Sequence, residues 1–251
     1  MLELYHYWDS FCSFKVRLCL EEKELEWKGH YLDLMRFENL RPQYLELNPN
    51  GVVPTLVHDG RSIIESSIIN EYLDDRFPAV ALRPKDPFEL AQMRLWVKHE
   101  EEQLFIAVRP ASLNLMMKQV LGRYTEEELD RHLATHPRPR QVAQLKQLFK
   151  APFDPAAVEA SRRMLSSAFS KMDKWLSSHP WLAGSSYSLA DIACAPVLDR
   201  VEALGMSALW EKLSAMRDWV HRLQSRPAYK RAKPRDEFRL PKALPIPSEV
   251  K

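Results

Sequence analysis

The chain has 251 residues, room for one large domain or two ordinary ones, and its 45% apolar and 28% charged fractions are those of a folded soluble protein. A formal net charge of +2 lends no support to a nucleic-acid binder, which would carry a basic face or a larger excess. Three cysteines (Cys12, Cys19 and Cys194) make no disulfide framework and lack metal-ligand spacing, and no stretch reaches the roughly 18 apolar residues of a membrane span.

The opening Met-Leu-Glu-Leu-Tyr lacks a basic leader and a cleavage site, so the chain is expected to start in folded structure, in a reducing, cytoplasmic setting. Leu2 to Tyr7 alternates apolar and polar residues and predicts a strand; Cys12 to Glu22 carries apolar residues at helical spacing; Trp27 to Leu32 predicts a second strand. Pro42 to Leu47 is a short helical piece before the turn Asn48-Pro49-Asn50-Gly51. Val52 to Val57 is a strand entered through a proline, Asp59-Gly60 is a tight hairpin turn into Ser62 to Ile64, and Glu65 to Phe77 is a helix stopped by Pro78. The order is β-α-β-α-β-β-α over residues 1–80.

Residues 78–87 carry Pro78, Pro84 and Pro87 and predict a linker. From about 88 to 230 helical periodicity dominates, with Leu90, Met93, Trp96 and Val97 on one face, Met164, Leu165, Phe169, Met172 and Trp175 on another, and Trp210, Leu213, Trp219 and Leu223 on a third. Residues 119–154 are polar and broken by prolines, without a clear period, and are expected to form an insertion between long helices. Residues 231–251 hold four prolines and many charges and predict an extended tail, loose or draped on the surface. The expected fold is an α/β domain followed by an all-α domain.

Three places carry chemistry. At the strand-to-helix junction Tyr7-Trp8-Asp9-Ser10-Phe11-Cys12-Ser13, free N–H groups and the helix dipole favour negative charge and suit a thiolate. Lowering a thiol pKa from about 8.5 to about 6.5 takes roughly 2.7 kcal/mol, within reach of one charge-assisted hydrogen bond and a helix terminus. The plainer reading, that Ser10 only caps the helix, stands beside it. At Val53-Pro54 a cis peptide bond would turn the Val53 N–H and C=O toward an extended peptide; the alternative is an ordinary edge-strand proline. At Glu65-Ser66 a hydroxyl and free N–H groups suit a carboxylate and Glu65 suits an ammonium; the alternative is an acidic residue favouring the helix dipole.

Together, on this element order, the three places resemble the glutathione transferase family across nearly the whole chain. The run Ser10-Phe11-Cys12-Ser13 with Arg17 is similar to the Ser-x-Cys-Ser motif of zeta-class enzymes and tetrachlorohydroquinone dehalogenases. Asn48-Pro49, Val53-Pro54-Thr55-Leu56 and Glu65-Ser66 match the family's glutathione-site motifs. Leu182-Ala183-Gly184 with Ser188-Leu189-Ala190-Asp191 resembles its buried capping box, a folding signature. Arg83-Pro84-Lys85-Asp86-Pro87-Phe88, Met93-Arg94-Leu95-Trp96 and the insertion with His136-Pro137 resemble the bacterial β-aryl etherase branch.

The resemblance implies a thioredoxin-like domain binding glutathione, a helical domain holding a hydrophobic acceptor (an aryl ether or a haloaromatic compound), a two-fold dimer, and a role in detoxification. It implies catalytic roles for Ser10 and Cys12: a hydroxyl at Ser10 would hold the glutathione sulfur as thiolate, or a thiol at Cys12 would form a mixed disulfide. Lys15 stands where a second cysteine of a dithiol pair would be, and its charge is expected to depress the Cys12 pKa. Ser10, Val53, Pro54, Glu65 and Ser66 would bind glutathione, with Asn39 as a donor to its glycine carboxylate and Arg36 and Arg41 equally reachable. The runner-up functions are a Cys12-dependent thioltransferase or reductive dehalogenase, and a glutathione-binding module without turnover. No metal is expected, since His58, His99, His132, His136, His179 and His221 lack ligand spacing. Glu100-Glu101-Glu102 and Glu126-Glu127-Glu128 are expected to be solvated helix faces, and Cys19 and Cys194 inert core thiols.

Overall fold

A computed structural model describes residues 1–244. Strand β1 (Leu2–His6) pairs in parallel with β2 (Trp27–Tyr31) and antiparallel with β3 (Thr55–His58), which turns through Asp59-Gly60 into β4 (Arg61–Ile64); the sheet order is β2-β1-β3-β4. The alternation read in β1 is realised, with Leu2, Leu4 and His6 buried and Glu3 and Tyr5 half-buried. β3 begins later than expected, at Thr55. The Val52 carbonyl is held by the Asn48 side-chain amide (2.8 Å) and the Tyr44 hydroxyl (2.5 Å), so ladder pairing starts only beyond the cis Val53–Pro54 bond.

Helix α1 (Phe11–Glu22) is buried from Ser13 to Leu20 because it is covered by three helices, α3 (Ser66–Arg76), α10 (Leu189–Ala203) and α13 (Pro227–Ala232). The short α2 (Pro42–Leu47) lies between β2 and β3. From Pro87 to Leu121 the backbone is helical without a break: α4 (Pro87–His99), a π turn (Glu100–Leu104), α5 (Phe105–Ser112), a second π turn (Leu113–Met117) and α6 (Lys118–Leu121).

The stretch read as an aperiodic insertion is helical as well, with α7 (Glu126–Leu133) and α8 (Pro139–Lys150). Its signals are a Thr125–Glu128 capping box and a proline at the first turn of α8, which permits a helix start. The period was obscured because α8 buries no residue fully; Val142, Leu145, Leu148 and Phe149 only cover Leu129 and Leu133 from outside.

Helix α9 (Pro155–Leu176) packs along α5, and α11 (Ala208–Glu211) and α12 (Ser214–Ser225) complete the bundle. The core helix α10 starts at the capping box read from the sequence. Ser188 Oγ accepts the Ala190 N–H (3.2 Å), and Asp191 Oδ2 accepts the Ser188 N–H (2.9 Å). Asp191 Oδ1 further accepts from Leu182 N and Trp219 Nε1, tying α10 to the preceding loop and to α12.

The described part of the tail is draped on the body of the protein and held there rather than loose. Leu240 is buried, its N–H bonds Asp9 Oδ2 (2.7 Å), Arg239 forms a two-pronged pair with Asp199 (2.9 and 2.8 Å), and Leu244 N bonds Leu115 O (3.1 Å). Residues 245–251 of that expectation lie outside the described residues. Among the described residues no helix is long and apolar enough to cross a membrane.

Candidate active site between the sheet and the helical bundle

A cleft of about 450 Å³ runs between the sheet domain and the bundle. Ser10, Cys12, Asn39, Val53, Pro54, Glu65 and Ser66 all line it on the sheet side, and Phe105, Arg109, Leu113 and Met117 face them. Phe105, Arg109 and Ser112 share one helix face by their spacing of four and three residues, and the two π turns bracket this stretch. Leu240 of the tail also lines it.

Ser10 is the N-cap of α1: its Oγ accepts the Ser13 N–H at 3.3 Å. A hydroxyl has two lone pairs and one proton, so the cap uses a lone pair and leaves the O–H able to donate. The cap and the proposed thiolate contact are therefore compatible rather than rival. Phe14 N bonds the Ser10 carbonyl (2.8 Å), while the N–H groups of Phe11 and Cys12 precede the first helical bond and are the orphan donors of this terminus.

Cys12 sits half-buried on the cleft wall, and burial pushes its thiol above the ordinary range. The expected depression by Lys15 does not prevail. Lys15 is buried, and its ammonium is paired with Glu100 across the domain boundary, so its field at Cys12 is largely offset by the adjacent carboxylate. This also corrects the reading of Glu100 as solvated. Glu100 is 3% exposed; Glu101 and Glu102 do face solvent. A buried lysine leaves no low-cost alternative to a buried partner, and the sequence position of Glu100, far from Lys15, gave no hint of it.

The backbone N–H and C=O of Val53 have no partner among the backbone bonds of the described residues, and the Val53–Pro54 bond is cis. Glu65 precedes α3 with φ +67°, a left-handed conformation that costs a non-glycine residue of order 1–3 kcal/mol, and strain of this kind collects at functional sites. Its side chain makes no cap, so the first-turn N–H groups at the buried Ser66 keep their capacity to receive an anion.

Asn39 donates from Nδ2 to the Gly51 carbonyl (2.7 Å), while its Oδ1 is buried without a partner. Arg36 and Arg41 do not line the cleft; both are exposed, against Asp33 (3.5 Å) and Glu38 (2.8 Å). Several lining residues escaped the sequence reading. Asp9 is buried and receives Arg200 (2.9 Å) and the Leu240 N–H, which anchors the tail beside Ser10. Tyr7 presents a hydroxyl kept protonated by burial and by Asp9. Arg138 and Gln141 come from the insertion. Only Asp9 and Tyr7 had a local signal, their place in the junction itself.

A four-stranded sheet domain with two helix starts on one wall of a cleft, facing a helical bundle, is the architecture of the glutathione transferases. Family models agree on both halves: glutathione S-transferase N-terminal domain over residues 4–83 and C-terminal domain over residues 115–227. The chain belongs to the glutathione S-transferase family, enzymes that take glutathione as co-substrate.

Among its relatives is protein LigF of Sphingobium sp. strain SYK-6, 30% identical over 91% of this chain and 91% of LigF. The crystal structure of that protein, described as a beta-etherase, superposes with a TM-score of 0.84 over 92% of this chain and 98% of LigF. The tetrachloro-p-hydroquinone reductive dehalogenase of Sphingobium chlorophenolicum is 26% identical over 92% of this chain and 95% of that protein.

Proposed function

We propose that this enzyme holds glutathione along the sheet side of the cleft, keeps its sulfur as thiolate at Ser10 and the start of α1, and transfers it to a hydrophobic electrophile of the aryl ether or haloaromatic type. The observation that carries the reading is the convergence of Ser10, Val53, Glu65 and Ser66 on one wall opposite the apolar Phe105, Leu113, Met117 and Leu240. The γ-glutamyl end, with its carboxylate and ammonium on one carbon, fits Ser66 and Glu65; the cysteinyl backbone fits the free Val53 N–H and C=O.

In the transfer the thiolate lone pair forms a C–S bond, and the C–O or C–halogen bond breaks. The leaving aryloxide takes a proton from solvent, or halide departs. Catalysis rests on the raised thiolate fraction and on proximity in the cleft. The likeness to a beta-etherase supports an ether acceptor, and the dehalogenase supports a haloaromatic one. Three free cysteines support a reducing cytoplasmic setting, and detoxification is the role such a transfer would serve.

The test is glutathione-conjugate formation over a panel of aryl ethers and haloaromatic compounds, read by chromatography. Ser10→Ala is expected to lose about 10-fold in kcat/KM, the hydroxyl's share of the roughly 2.7 kcal/mol of thiolate stabilisation, with the bound thiol pKa rising by about 1 unit in an absorbance titration. Cys12→Ser is expected to stay within about threefold of wild type, since the Cys12 thiol is pushed toward its neutral form. The reverse pattern, with a Cys12–glutathione adduct in the mass spectrum, would move the chemistry to Cys12.

A further inference from the structure

The helices of residues 119–154 do more than decorate the bundle. They close over residues 35–51 of the sheet domain. The Phe37 and His132 rings stack at 4.9 Å, the Tyr124 hydroxyl donates to the Met35 carbonyl, and Leu40 joins Leu121, Leu129 and Leu133 in a separate apolar cluster. Gly51, at φ +61°, faces the Pro137 ring so closely that a Cβ there would lie 3.2 Å from it. The next residue is Arg138, the half-buried residue preceding α8, and it lines the same cleft as Asn39 and Gly51.

Two groups at this end of the cleft lack partners of their own. Arg138 has no carboxylate within ion-pair distance among the described residues, whereas Arg36 and Arg41 are engaged outside the cleft. Asn39 Oδ1 is a buried acceptor without a donor, its amide being turned by the bond to Gly51. A half-buried arginine and an orphaned amide oxygen lining one cleft, both next to the Gly51–Pro137 contact, call for an anion and an N–H group on the same ligand. On the same cleft, Glu65 and Ser66 call for an ammonium and a carboxylate. A peptide with its N-terminal amino acid at Ser66 and a C-terminal amide and carboxylate at Asn39 and Arg138 satisfies both.

We infer that Arg138, brought in by the insertion, binds the glycine carboxylate of glutathione, while Asn39 Oδ1 accepts the glycine N–H. This rests on the reading of the cleft as the glutathione site. It moves Asn39 from carboxylate donor to amide acceptor, and it makes the helical insertion part of the glutathione site. Arg109 is the competing cation on the cleft, but it stands on α5 among the acceptor-facing residues and turns toward Gln144 (3.5 Å).

Calorimetry with glutathione and with its glycyl monoethyl ester separates the possibilities. Wild type is expected to bind the ester about 10- to 100-fold more weakly, the range of a charge-assisted pair. Arg138→Gln is expected to bind glutathione as weakly as wild type binds the ester and to bind the ester unchanged, which also reports that the variant is folded. Arg138→Lys should recover part of the discrimination. Undiminished discrimination in Arg138→Gln, or its loss in Arg109→Gln instead, overturns the assignment alone. Wild type binding neither ligand overturns the glutathione reading and this one with it.

Discussion

For His6 and Cys12, burial decides the charge state more than the immediate neighbours do. His6, at an inward position of β1, is 2% exposed, wedged edge-on between Trp8 and Trp27 and 3.4 Å from Arg17. Burial first, and then the Arg17 charge, lower its pKa to about 3. The unfolded chain takes up that proton near pH 6.5, so between the two values the unfolded state binds more protons and stability rises with pH. His6 thus adds stability in full above about pH 6.5, lost progressively as pH falls toward 3. In denaturant titrations from pH 4.5 to 7 the wild type should gain stability with rising pH faster than His6→Gln, the difference in slope approaching about 1.4 kcal/mol per pH unit. Equal slopes would show that another group titrates. Cys12 teaches the same lesson: the helix start and Lys15 were legible, but the desolvation and the Glu100 carboxylate were not, and they win.

At the scale of elements, the clearest case is the segment 233–244. Its prolines remove N–H donors and exclude regular structure, which is why its composition reads as a tail. Yet several of its remaining donors and charges engage the body of the protein. Arg239 grips Asp199, the Leu240 N–H meets Asp9, and Phe238 lies against Tyr31 with ring centroids 4.9 Å apart. The segment is a strap that sets the Leu240 side of the cleft, where the proposed acceptor would lie. Arg239→Gln is expected to raise the acceptor KM about three- to tenfold with little change in glutathione KM, and to admit protease cleavage within 233–244. Unaltered kinetics together with unaltered proteolysis would refute the role. Asp199 keeps Lys233 nearby (3.8 Å), so the variant does not strand a buried charge.

For the whole molecule, the outer face of α3 and α4 stands out. Ile68, Phe88 and Leu95 are 60%, 68% and 58% exposed, Phe88 and Leu95 lie seven residues apart on one helical face, and Arg94 crosses to Glu71 (3.1 Å) between the helices. A single face with both apolar and paired charged groups suits a self-complementary two-fold contact, which supports the dimer expected from the family. Analytical ultracentrifugation is expected to give a dimer at micromolar concentration, and Leu95→Glu a monomer with the fold intact by circular dichroism. A monomeric wild type would sink this reading.

The sequence by itself determined what depends on neighbours along the chain. The strand alternation of β1, the Ser188–Asp191 capping box, the Asp59-Gly60 turn and the junction at Ser10 are local patterns, and they were enough to indicate the fold and the sheet wall of the cleft. The tertiary structure alone decided what depends on segments that meet only after docking. Lys15 finds Glu100 85 residues away, and Asp9 finds Leu240 231 residues away. Arg138 reaches the cleft only because Phe37, Leu40 and Gly51 accept the insertion helices. No periodicity encodes such pairings, because each is fixed by the desolvation and packing of two surfaces rather than by the rise of one helix or strand.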